Sequence, residues 1–249
     1  MALNPNRNYA ATAAGARTGA EVDEGLRSYM LRVYNYMALG VAGTGLITLF
    51  MAMQPDLMYT LAVGPIKWVL FAAVLGMGFF SGKIVTMKSV VGAQAFYWVY
   101  CALWGVMISP LIYAFLQTPG GVLDIARAFF ITAGMFAAVS LYGYVTKRDL
   151  APIAKFLFMA IVGLIIAGLV NWIFFEPSSE FSMIFSVVAV LLFAGMTAYE
   201  TQMIKNMYME HLGQDAVSKM AIFGALQLYG SFVVMFIHIL NIIGIMRSE

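Results

Sequence analysis

Glu200 is the residue of this 249-residue chain best placed for chemistry, lying in Phe-Ala-Gly-Met-Thr-Ala-Tyr-Glu-Thr-Gln at the end of a long apolar run. An ionised carboxylate in hydrocarbon costs about 3 kcal/mol on insertion scales, so such an acid faces a protein interior, a water-filled path or the membrane interface. The last apolar run carries Gln227, Ser231, His238 and Asn241, whose spacings of four, seven and three place them along one helical face. An acid beside a polar stripe suits the passage of a proton or a cation. The same residues also suit plain interhelical hydrogen bonding, at roughly 1 kcal/mol per bond, and Glu200 could simply reach interfacial water or pair with Lys205. His238 can be a proton site, because imidazole titrates near neutrality, or a neutral hydrogen-bonded ring.

Other chemistries find little support. His211 and His238 are too few for a zinc ligand set, and no phosphate-binding glycine loop or nucleophile elbow occurs. Ser231 and His238 share a face but stand about 10 Å apart along a helix axis, too far for a nucleophile and its base. No catalytic residue and no enzymatic activity are expected. Cys101 is alone, so an intrachain disulfide or a cysteine metal cluster is excluded. Glu200 is the one strong candidate for a metal, as a lone carboxylate. The formal charge of +2, scattered among loops, argues against a nucleic-acid partner.

The elements that must position these residues follow from composition. With 62% hydrophobic and 10% charged residues and a mean hydropathy of +0.87, the chain is a multi-pass membrane protein whose partner is the lipid bilayer. Apolar runs predict seven spans near 30–52, 66–87, 91–115, 123–146, 153–174, 181–205 and 220–246. They are continuously apolar and about twice the length of a barrel strand, so the spans read as helices. Residues 1–28 are polar, lack a signal-peptide core and read as a flexible tail, leaving 29–249 as one membrane domain. Glycine-rich segments at Gly40 to Gly45, Gly76 to Gly82 and Gly163 to Gly168 read as close helix contacts without chemistry.

Basic residues orient the chain. A cytoplasmic amino terminus gathers Arg7, Arg17, Arg27, Arg32, Lys83, Lys88, Lys147, Arg148, Lys155, Lys205 and Lys219 inside and leaves Lys67, Arg127 and Arg247 outside. That positive-inside bias places the carboxyl terminus outside and Glu200 near the inner end of span six, where an acid could guard a gate.

Several strings then resemble the bacterial branch of the transmembrane Bax inhibitor motif family. They are Arg32-Val33-Tyr34 leading to Met37-Ala38-Leu39-Gly40, Phe129-Phe130-Ile131-Thr132-Ala133-Gly134, Leu141-Tyr142-Gly143-Tyr144, Thr146-Lys147-Arg148-Asp149-Leu150, Ile161-Val162-Gly163-Leu164-Ile165-Ile166 and Thr197-Ala198-Tyr199-Glu200-Thr201-Gln202. Asp149 before Pro152 can also start and cap span five. The resemblance implies an all-α integral membrane protein of the bacterial inner membrane, with six helices surrounding a central carboxyl-terminal seventh. For some members it implies a proton-sensitive calcium leak, in which an acid ending span six meets an acid in span seven and a basic side chain of span two assists.

Glu200 matches the first acid and Lys83, in Ser81-Gly82-Lys83, the basic position. Span seven departs, because Leu228-Tyr229-Gly230-Ser231-Phe232 puts Ser231 where members commonly carry aspartate. A hydroxyl does not titrate in the relevant range, and calcium prefers six to eight oxygens. The expectation is therefore a weak, proton-modulated leak for calcium or another cation, with no cofactor beyond transient calcium, using Glu200, Ser231, His238 and Lys83 beside Gln227 and Asn241. The alternative is a membrane stress or quality-control regulator that binds another membrane protein, such as a membrane protease, with the tail as a contact candidate.

Overall fold

The computed structural model describes residues 19–175, 178–209 and 212–248, and the described residues are helical without strands. Residues 1–18 of the expected tail at 1–28, and His211, lie outside the described residues. Among the described residues, six helices are long and apolar enough to cross a bilayer: α1 (Gly19–Ala52), α5 (Val90–Leu116), α6 (Gly121–Val145), α7 (Ala151–Phe174), α8 (Ser179–Met207) and α9 (Gln214–Ser248). Between α1 and α5 lie α2 (Pro55–Met58), a π-helical turn at Tyr59–Val63, α3 (Ile66–Phe79) and α4 (Lys83–Thr86).

Helix ends follow local chemistry. Ser89 and Ser178 cap α5 and α8, their hydroxyls accepting from the amides of Gly92 at 3.1 Å and Phe181 at 3.3 Å. Pro152 lies in the first turn of α7, as the string there leads one to expect, and Asp149 accepts from the Ala151 amide at 2.9 Å from one residue before the capping position, which is Leu150. Gly120 begins α6 in the left-handed region, at φ 79°, where a side chain would be strained.

Boundaries differ from the sequence expectation at α1, at α3 and at α9, which starts at Gln214 rather than near 220. Helix α1 starts at Gly19, so part of the expected tail at 1–28 continues the first helix. Polar residues such as Glu24 and Arg27 extend it past the apolar run, which hydropathy alone does not register. The expected span 66–87 is not one helix: α3 ends at Phe79, a turn at 80–82 follows, and only then comes α4. Gly76, Gly78 and Gly82 lower helix propensity there. Pro55–Val63 and α3 together are long and apolar enough for a seventh crossing, with a 64° bend between them at Gly64-Pro65, the geometry of a broken span or a re-entrant loop. Proline carries no amide hydrogen to continue the ladder.

Helix α9 is the centre of the bundle, packed against α1, α4, α5, α6 and α8. Its Ala221, Ile222, Ala225, Leu228, Tyr229 and Leu240 are all buried, as a helix apolar on every side requires. Helix α3 packs on α5 and α7 on α8, so these two reach α9 only across a crevice. Outward residues of α7 such as Phe156, Met159 and Phe174 are exposed and form a lipid-facing surface. Of the glycine-rich segments, Gly40 meets Tyr97 and the Cys101 sulfur, and Gly168 meets Phe185 at 3.2 Å. Gly45, Gly76 and Gly163 face open space, so the expectation of close contacts holds for only part of each segment.

At the carboxyl-terminal end of α9, Arg247 donates to Asp124 at 2.8 Å, to Thr118 at 3.1 Å and to the Pro119 carbonyl. Arg127 also donates to Asp124, at 3.2 Å, and Asp124 is itself buried. This clamp ties the central helix to α6. Asp124→Ala should lower unfolding free energy by about 1.5–3 kcal/mol, the range for hydrogen bonds to charged groups. An unchanged thermal midpoint in detergent would show that the clamp contributes nothing.

Candidate functional site

Glu200 lies two turns before the end of α8, on a helix whose neighbours in sequence do the positioning. The hydroxyls of Thr197 and Thr201 bond back to the carbonyls of Phe193 and Thr197, each at 2.8 Å, satisfying their own polarity inside the span. Ser140 of α6 bonds Thr201 at 2.9 Å and Tyr34 of α1 at 2.7 Å, so three helices meet one residue from the acid. Gln202 accepts from the Leu150 amide at 2.9 Å and donates to the Arg148 carbonyl at 2.8 Å, strapping the loop before α7 to α8. The string Thr197-Ala198-Tyr199-Glu200-Thr201-Gln202 is thus a scaffold with the carboxylate in its middle.

Against this scaffold α9 presents its stripe. Ser231 donates to Glu200 Oε2 at 2.8 Å, and both residues are buried, 3% and 6% exposed. The stripe continues in both directions. Gln227 Oε1 accepts from Ser81 at 3.3 Å, while His238 Nδ1 lies 3.1 Å from the Ser186 hydroxyl. Asn241 Nδ2 donates to the same hydroxyl at 2.9 Å. Ser186 can therefore give its one proton to Nδ1 while accepting from Asn241, an arrangement that suits a neutral imidazole.

Glu200, Gln227, Ser231 and His238 line a single crevice of about 890 Å³. Its remaining walls are Tyr100 and Trp104 of α5, Phe185 and Phe193 of α8, and apolar residues of α3, α7 and α9. Asn241 lies on the stripe outside this lining. Lys83 does not join the site: it is exposed, with its ammonium 4.7 Å from the Phe80 ring centroid, and Ser81, two residues earlier, makes the contact to α9 instead. The break after α3 turns Ser81 inward and Lys83 outward. Lys205 does not pair with Glu200 either, since it donates to the Tyr144 carbonyl at 2.8 Å and covers that ring. Among the described residues, no group of three or more His, Cys, Asp or Glu side chains is placed to hold a metal.

Ser186 and Ser81 are the site residues that sequence reasoning missed. Ser186 had a readable signal, because it precedes Glu200 by fourteen residues, close to four helical turns, and so shares its face. Ser81 had none, since its orientation depends on a helix break.

Comparison with known proteins adds the following. The family model described as inhibitor of apoptosis-promoting Bax1 matches residues 26–248. The chain is 36% identical over 245 residues to the uncharacterized protein RP147 of Rickettsia prowazekii (strain Madrid E), covering 97% of this chain and 99% of the relative. It is 34% identical over 249 residues to an uncharacterized protein of Caulobacter vibrioides, covering 96% and 97%. It is also 34% identical over 223 residues to the inner membrane protein YbhL of Escherichia coli (strain K12), covering 88% and 92%.

Proposed function

The chain belongs to the Bax inhibitor family and is a multi-pass membrane protein, and from that premise we propose that it is a weak, proton-modulated cation leak gated at Glu200. The observation that carries this reading is the Glu200–Ser231 bond at 2.8 Å inside a crevice that also holds Gln227 and His238. A carboxylate within an apolar bundle attracts a cation when ionised and loses that attraction when protonated. The titratable groups lining the crevice are Glu200, His238 and Tyr100, and of these side-chain types only carboxyl and imidazole ordinarily titrate below pH 8. Calcium is the cation suggested by the family resemblance, with low selectivity, because one carboxylate and neutral oxygens make a poor set for it.

The leak belongs in a bacterial inner membrane with the amino terminus of α1 inside. Support comes from the bundle end that gathers Lys205, Lys219 and the loop carrying Lys147 and Arg148, an end consistent with the positive-inside rule. Glu200 then stands toward the cytoplasmic side of the path.

The test is calcium and potassium flux into vesicles containing only the purified protein, between pH 5 and 8. Flux should occur without partners, change across this range, and fall about tenfold or more in Glu200→Gln, the loss expected for removing one charge-assisted contact. No flux at any pH, or equal flux in the variant, would refute the gate. The regulator reading, with a membrane protease or other membrane protein as partner, would then be examined by deleting residues 1–18 rather than 1–28, since the longer deletion cuts into α1.

A further inference from the structure

The crevice has features that ion passage does not use. It is long, predominantly apolar and open between α3 and α7, two helices that pack on α5 and α8 respectively. Its α7 wall runs from Phe158 to Leu169 and its α8 wall from Phe185 to Glu200. At about 1.5 Å per residue these extend roughly 16 and 22 Å. One leaflet of hydrocarbon is about 15 Å deep, half of the roughly 30 Å core. The crevice therefore matches the length of one acyl chain. Val162, Ile165 and Leu169 line it while remaining 41%, 40% and 42% exposed, as expected of a wall bordering the lateral opening.

Its Glu200 end is chemically incomplete. Glu200 Oε2 accepts from Ser231, and no described residue donates to Oε1. The candidate cations nearby are held elsewhere: Lys83 over Phe80, Lys205 on the Tyr144 carbonyl, Lys219 on the Met87 carbonyl, and His238 against Ser186. A carboxylate buried in an apolar bundle without a cationic partner is complementary to a cationic group brought by a ligand.

We infer that the crevice binds a single-chain amphiphile bearing a primary ammonium group, with the ammonium on Glu200 Oε1 and the chain lying between α3 and α7. A fatty acid would set carboxylate against carboxylate. An intact aminophospholipid would bring its phosphate toward the same acid and would pull its headgroup below the interface. A long-chain amine has neither defect. The inference concerns the carboxylate of the proposed gate but requires no conduction.

The experiment uses the full chain in zwitterionic nanodiscs and a dodecylamine probe carrying a photoreactive diazirine in its tail, with cross-linked peptides mapped by mass spectrometry. Saturable labelling of α3 and α7 is expected, displaced by unlabelled dodecylamine and not by dodecanoate or dodecanol. Apparent affinity should fall about tenfold or more in Glu200→Gln, the loss of one charge-assisted bond. Val162→Trp, which fills the opening without touching Glu200, should also abolish the labelling. Equal displacement by all three headgroups on the parent protein would reduce the effect to bulk lipid contact and overturn the inference. Unchanged affinity in Glu200→Gln would do the same. Labelling in a protein that carries no flux would sustain the binding site while refuting the leak; flux without saturable labelling would do the reverse.

Discussion

Gly143→Leu should prevent the bundle from assembling as it does here, with a loss of at least about 3 kcal/mol of stability or failure to purify as a single species. Helices α6 and α8 cross so closely at this residue that a Cβ would fall on the Ala198 carbonyl, whose carbon would lie 2.8 Å away and whose Cα 2.9 Å. The obstacle is backbone, so no rotamer change can relieve it, and α8 must move. Ala198 lies half a turn before Glu200, so the same displacement pulls the acid from Ser231. Gly134→Leu and Gly163→Leu are the matched comparisons: a Cβ at either position meets nothing within 4 Å, and thermal midpoints should stay within about 2 °C of the parent, as for surface substitutions. Equal behaviour of all three variants would show that close approach at Gly143 is not what seats α8.

The contrast among these glycines marks what the sequence could reveal. Apolar run length located four of the seven expected spans within a few residues at both ends, because a bilayer requires a long uninterrupted apolar helix and little else. It failed where helix and membrane boundaries separate. At α1 and α9 the helix continues through polar residues outside hydrocarbon, and around Phe79 an apolar run contains a break that composition does not register. Faces were legible by the same logic: spacings of four and seven put Gln227, Ser231 and His238 on one side of α9, and all three line the crevice. That Lys83 would stay away from Glu200 was not legible, because the turn at 80–82 points Ser81 inward and Lys83 outward. Nor could one helix's pattern reveal Ser186 as the shared partner of His238 and Asn241, since that bond is made across α8 and α9.

Ser231→Asp should convert the lone acid into a calcium-responsive pair. Ser231 Oγ is 2.8 Å from Glu200 Oε2, so an aspartate there places two carboxylates in contact inside a bundle where no described cation neutralises them. At about 3 Å and an effective dielectric constant near 20, their repulsion is about 5 kcal/mol when both are ionised. The variant should therefore lose stability relative to the parent as pH rises, because full repulsion exists only after both protons have gone; the two acids titrate as one coupled unit. Calcium reverses the sign, since a divalent ion bridging both groups turns repulsion into ligation. Calcium at 100 times its dissociation constant should restore about 2.7 kcal/mol, read as a rise in thermal midpoint that magnesium reproduces only weakly. Ser231→Asn, similar in volume and uncharged, should show neither the pH dependence nor the calcium rescue. Adding Glu200→Gln to Ser231→Asp should remove both effects, because repulsion and bridging each require two carboxylates. Calcium rescue persisting in that double variant would place the ion elsewhere and disconnect Glu200 from cation binding.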